Sequence, residues 1–398
     1  MTKVSEYLQH FLKRFVPKPT PLNTANHTFL QKIRNPPPAA QNINVHLPQP
    51  IPDNFYKAIT SEVRGVIDTS PGYYSRQYRF GLESDQNVST QNITVDLIYP
   101  YFEEAGELEP LPAKMDEMFM SCVERIYKWL WIANKHRSSG CSDKLHLWLY
   151  MTHSPKLIDV SVGGGEPTSR KHIATIQRKP LNQSNANTAF TYPCTPEGNI
   201  FIYREEEWFK VLIHETFHSY NLDFCSNDIL ATEAQTIIQQ TFLRVKGREL
   251  RVFETYCETM AEILNIWFQP REFKKRLQIE RQFSLFQMVK VLRYMGLSYK
   301  DLFVEGEYRE DTYIFSYYVL KCICIFHADE FMNWRASEPD LLRIEHTSDC
   351  IRAFVGFITE RAQRATFVSE VEKMEAWWES HPPGEKIEDL TMRMTVFG

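Results

Sequence analysis

His214, Glu215 and His218 stand in the segment Val211-Leu-Ile-His-Glu-Thr-Phe-His218, an HExxH pattern. On a helix the two histidines fall one turn apart on the same face, so both imidazoles can reach a single ion. Glu215 is turned about 100° around the axis from His214, close enough to take a proton from water at that ion without binding it. This is the position of a general base. Imidazole and carboxylate donors suit zinc, and a catalytic zinc keeps three protein ligands and one open position, so a third ligand has to come from elsewhere. The plain alternative is a chance match of three fixed positions. Against it stand the helical periodicity of Trp208, Val211, Leu212 and Phe217 and the strand-like run Asn199–Arg204 just before them.

Candidates for the third ligand lie in Arg251–Asn265 (RVFETYCETMAEILN), where Glu254, Glu258 and Glu262 recur every four residues and line one helix face. A row of glutamates is ordinarily a solvated face. Here no basic residue lies within 254–268, and Tyr256, Met260, Ile263, Ile266 and Trp267 surround the row. Part of it is therefore expected to face a polar interior.

With these residues in view the chain resembles the gluzincin metallopeptidases, which pair HExxH with a glutamate on a later helix. Several of them use the pattern E-x-x-[small]-[acid]-x-x-A, which Glu254-Thr-Tyr-Cys-Glu258-Thr-Met-Ala261 matches. The resemblance implies Glu254 as the third zinc ligand and Glu258 as the acid that orients a ligand histidine, with the exchange of those roles as its rival. It implies hydrolysis of peptide bonds in a peptide or protein substrate, by water at the metal activated by Glu215. It also implies a tyrosine or histidine of the helical half acting on the oxyanion, for which Tyr317 is the candidate; Tyr313 shares its helix face, and ordinary aromatic packing is the alternative for both. The chain departs from the commonest form of the family in having Glu rather than Asp at 258 and a spacing of 36 residues from His218 to Glu254. A fainter likeness is to metallopeptidases encoded by large DNA viruses. The likeness to the zincin N-terminal half extends to a sheet whose edge strand borders the cleft, a part for Asn187–Tyr192 or Asn199–Arg204.

The elements that must position these residues fall into three stretches. Residues 1–16 carry Val4, Tyr7, Leu8, Phe11, Leu12 and Phe15 at helical spacing, an amphipathic helix whose apolar face needs a partner, such as another protein. The Pro-, Asn- and Gln-rich stretch up to residue 52 reads as an extended arm that adds little core. Over 53–226 strand signals gather at Gln91–Tyr99, Leu145–Thr152, Ile173–Arg178 and Asn199–Arg204, with a long helix Met115–Lys135 between the first two. This is expected to be a zincin-like α+β lobe of mixed sheet and helices ending on the motif helix. Over 227–398 helical patterns follow one another at 228–243, 251–268, 271–295, 312–326, 338–361 and 367–378, so an all-helical C-terminal lobe is expected to supply the third ligand.

Composition narrows the partners. A net charge of −5 provides no basic surface for nucleic acid, and no apolar run is long enough for a membrane span. The eight cysteines are dispersed without a CxxC pair, which suits free thiols in a reducing, cytoplasmic compartment; virion association is the variant reading. Gly163-Gly-Gly165 lacks the context of a phosphate loop, and His153, His172, His327 and His346 stand isolated. The rival to an enzyme is a structural or interaction protein that keeps a peptidase fold, as part of a larger, even viral, assembly.

Overall fold

A computed structural model describes residues 3–20, 28–33, 43–46, 52–70, 72–83, 90–101, 111–158, 180–269, 272–381, 384 and 386–398. In chain order it runs through α1 (Lys3–Phe15), α2 (Thr28–Lys32), β1 (Asn44–His46), α3 (Asp53–Ala58), α4 (Ser61–Thr69), β2 (Gly72–Leu82) and β3 (Gln91–Tyr101). Next come α5 (Leu111–Ala133), β4 (Lys144–Tyr150), α6 (Gln183–Ala186), β5 (Ala189–Thr191), β6 (Glu197–Ile202) and α7 (Trp208–Ser219). The remainder is helical: α8 (Asp228–Thr241), α9 (Val252–Trp267), α10 (Phe273–Tyr294), α11 (Lys321–Phe326), α12 (Ala328–Ser337), α13 (Ser348–Ala362), α14 (Ala365–Ser380) and α15 (Ile387–Leu390). The architecture is mixed α+β.

The sheet has the order β1-β2-β3-β4-β6-β5. β3, β4 and β6 are parallel, whereas β1, β2 and β5 run antiparallel to their neighbours. The long helix α5 makes the crossover from β3 to β4 that a parallel pair requires. Leu147, Leu149, Ile200 and Ile202 are buried on one face of the central strands and Trp148 and Phe201 on the other, as expected for strands covered on both faces. β5 is the edge and β6 is interior, so of the two stretches considered for an edge strand, Asn187–Tyr192 is at the edge and Asn199–Arg204 is not.

Several boundaries differ from the sequence expectations for local reasons. No helix begins at 338, because Pro339 disfavours helical backbone at Glu338; α12 ends there and α13 starts afresh, with the Thr347 side chain capping Cys350 N. The stretch 312–326 is a π-helical turn over Phe315–Leu320 that runs into α11. The expected strand Ile173–Arg178, Gly163–Gly165, His172 and the proline clusters at 36–38 and 48–50 lie outside the described residues.

The described parts of the N-terminal segment are packed on the rest of the chain. Leu8 and Leu12 of α1 are fully buried, Phe11 meets Phe286 of α10 with ring centroids 5.6 Å apart, and Gln282 Nε2 donates to the carbonyls of Leu12 and Val16 at 2.8 and 2.7 Å. α2 packs on α12, and β1 pairs with β2. The partner that the apolar face of α1 requires is thus this same chain. One hydrophobic core includes Leu12, Leu147, Phe217, Met260 and Phe354, crossing the divisions expected at 53 and 227.

The thiol expectation also needs correcting, because Cys141 and Cys194 form a disulfide. They lie in the loops entering the adjacent strands β4 and β6, where Ser142 N donates to Thr195 O at 2.6 Å. Fifty-three residues separate them in sequence, so only the sheet brings them together. Among the described residues no helix is long and apolar enough to cross a membrane.

Candidate metal centre

α7 and α9 pack side by side, and their facing sides carry the chemistry. One face of α7 presents Lys210, His214 and His218, each one turn from the next. The opposed face of α9 presents Glu254, Glu258 and Glu262. All six are buried. Trp129 of α5 fixes the outer side of α7 by donating from Nε1 to Thr216 Oγ1 at 3.0 Å.

Three donor atoms converge between the helices. His214 Nε2 and His218 Nε2 are 3.1 Å apart, and Glu254 Oε2 lies 3.0 Å from the first and 3.3 Å from the second. Behind each ring stands another carboxylate. Glu258 Oε1 is 3.1 Å from His214 Nδ1, although out of line for a well-formed hydrogen bond, and Asp223 Oδ2 is hydrogen-bonded to His218 Nδ1. Neutral rings that keep their protons on Nδ1, beside these acids, would turn Nε2 lone pairs toward each other and toward a carboxylate oxygen. Three buried acceptors at such distances need positive charge between them. The group His214, His218 and Glu254 has the composition and spacing to hold a metal ion, so the donor set fits one.

The same carboxylates draw positive charge onto the rings themselves, as protons. Burial disfavours charge on His214, but Glu258 and then Glu254 outweigh it and raise the ring to about 9. Burial likewise opposes charge on His218, and Cys257, Asp223 and Glu254 overcome it. Burial opposes ionisation of Glu254 too, yet the two histidines hold its carboxyl well below the usual range. Glu215 behaves differently: burial pushes its carboxyl up, His214 and His218 only partly oppose this, and it has no hydrogen-bond or ion-pair partner among the described residues. It lines an open cavity of about 650 Å³ together with His214, His218, Glu254, Tyr317 and the edge strand residues Ala189, Phe190 and Thr191.

Tyr317 reaches this cavity from the π-helical turn, its ring centroid 6.3 Å from that of His214. A π turn inserts an extra residue into the helix and re-aims the side chains on it. Tyr313, on the rim, instead lies under the Arg251 guanidinium and donates its hydroxyl to Glu249 at 3.3 Å. Glu262 takes no part in the centre; it pairs with Lys321 at 2.7 Å. The bases that compensate the glutamate row come from other helices, Lys210 of α7 and Lys321 of α11, and so were invisible in the stretch 254–268.

Sequence reasoning missed Asp223 and its supports. Asp223 follows α7 by four residues and is turned back by Asn221, which has a left-handed φ of 56°. The Cys257 thiol donates to its Oδ2 at 3.1 Å, Cys225 N to its Oδ1 at 3.3 Å, and His346, taken from sequence as isolated, bonds its carbonyl. An acid just past the helix end was the only signal available, and no fixed spacing marks it. Comparison of the chain with protein-family models, curated proteins and solved structures returns no match.

Proposed function

We propose that this chain is a zinc-dependent metallopeptidase of the gluzincin kind, its sheet and motif helix forming a zincin-like half and α8–α14 the helical half. The observation that carries the reading is the convergence of His214 Nε2, His218 Nε2 and Glu254 Oε2 on one point, with Glu215 free beside it in an open cavity. His214, His218 and Glu254 would hold zinc, and zinc bound there supplies Lewis acidity toward a peptide carbonyl and toward water.

The chain's own groups do the rest. Glu215, poised by burial to accept and release a proton, takes it from the attacking water and passes it to the leaving amine. β5, antiparallel to β6 and without a strand on its outer side among the described residues, gives an extended peptide a row of backbone partners along the cavity wall. Tyr317 donates its hydroxyl to the oxyanion; burial and the surrounding glutamates keep that hydroxyl protonated far into the alkaline range.

The test is metal content together with cleavage of a mixed peptide library. His214→Ala and His218→Ala are expected to lose the metal, each removing one of three ligands. Glu215→Gln is expected to keep zinc while hydrolysis falls by roughly two or more orders of magnitude. A wild-type protein that binds zinc and cleaves nothing would favour the structural or interaction role instead.

A further inference from the structure

The two histidines of the candidate centre are backed by unlike supports. Behind His218, Asp223 is held by neutral donors, the Cys257 thiol and the Cys225 backbone N–H. Behind His214, Glu258 is gripped by a cation: Lys210 Nζ donates to Glu258 Oε1 at 2.9 Å and to Oε2 at 2.8 Å, with both residues almost wholly buried. Lys210 precedes His214 by one turn of α7, so lysine, carboxylate and imidazole form a chain of contacts across the α7–α9 seam.

The C-terminal tail packs against Lys210. Met394 Sδ lies 3.7 Å from Lys210 Nζ. The backbone N–H groups of Met394 and Thr395 donate to Glu207, the residue just before α7, which also pairs with Lys156. The N-terminal end of α7 is therefore tied to the tail. Lys156, Glu207 and the Glu262–Lys321 pair one turn along α9 are the other charges around Lys210.

We propose that Lys210 is a positioning residue, which by holding both oxygens of Glu258 fixes the His214 ring for metal binding. This rests on the metallopeptidase reading. A buried carboxylate without a counter-charge would protonate or swing away, and the ring it orients would lose its support. The chelating ammonium prevents both. Outer supports of this kind are worth about 10- to 100-fold in metal affinity.

The test is a double-mutant cycle on the full chain, with zinc affinity read by competition against a chelator. Lys210→Met and Glu258→Gln should each weaken zinc binding by about 10- to 100-fold, while the double variant is no weaker than the worse single one, because Lys210 acts only through Glu258. Lys210→Arg should recover most of the loss. Should Lys210→Met alone fold poorly, Glu258→Gln and the double variant, which removes both buried charges together, remain to be compared: equal zinc affinities support the proposal and a further loss in the double variant overturns it. Wild-type affinity in Lys210→Met, or losses that add in the double variant, would overturn the proposal. A wild-type chain that takes up no zinc would bring down the metallopeptidase reading itself, which is a separate and recognisable result.

Discussion

At the scale of single residues the centre depends on which nitrogen of each histidine is engaged. Both Nδ1 atoms face carboxylates, so in neutral rings the Nε2 atoms are the ones available as acceptors, and this follows from Glu258 and Asp223 rather than from the ligands themselves. Asp223 therefore invites a direct test. Asp223→Asn keeps the size of the side chain but presents an amide that is a weaker acceptor, or a competing donor, to His218 Nδ1. Zinc affinity is expected to fall by about 10- to 100-fold with the metal still retained at saturation. Unchanged affinity in a chelator titration would mean that His218 needs no such support.

At the scale of elements, the helix pair α7–α9 forms the site and other elements hold the pair in place. α5 braces α7 from the sheet side, and α10 carries both α1 and the tail through Gln282 and Gln287. α1 is thus part of the packing that supports the centre. Leu12→Ala, which opens a cavity at a fully buried position, is expected to cost about 2–5 kcal/mol in denaturant unfolding. A loss below about 0.5 kcal/mol, as surface substitutions give, would show that α1 is docked loosely and that the expected arm-like behaviour holds in solution.

At the scale of the whole molecule, one continuous core couples the halves, and its buried titratable groups set how the fold responds to pH. His327, between α11 and α12, is fully buried, and neither ring nitrogen has a hydrogen bond among the described residues. The Glu330 carboxylate 3.3 Å from Nδ1 is taken up by Arg361 and Arg364. Burial therefore dominates and lowers His327 to about 4. The unfolded chain binds this proton near pH 6.5 and the folded chain does not, so stability is retained above about 6.5 and falls as pH drops toward 4. His327→Leu should flatten that part of the stability profile by up to about 3 kcal/mol. Parallel profiles for variant and wild type over pH 4–6.5 would contradict the assignment.

The motif His214–His218 and the row Glu254, Glu258 and Glu262 could be read from spacing, because positions four apart share a helix face whatever surrounds the helix. The strands β3, β4 and β6 and the helical second half were legible for the same reason: their apolar periods are local. What only the tertiary structure decided concerns partners distant in sequence. Which glutamate meets the histidines depends on the register in which α9 packs on α7, and the sequence of either helix alone does not carry it. Asp223, Lys210, the tail at Met394 and the Cys141–Cys194 bridge join the picture through turns and seams that bring separate segments together. The same applies to α1. Its apolar face was plain in sequence, but a pattern that demands a partner does not say whose surface will cover it, and here that surface is α10 of the same chain.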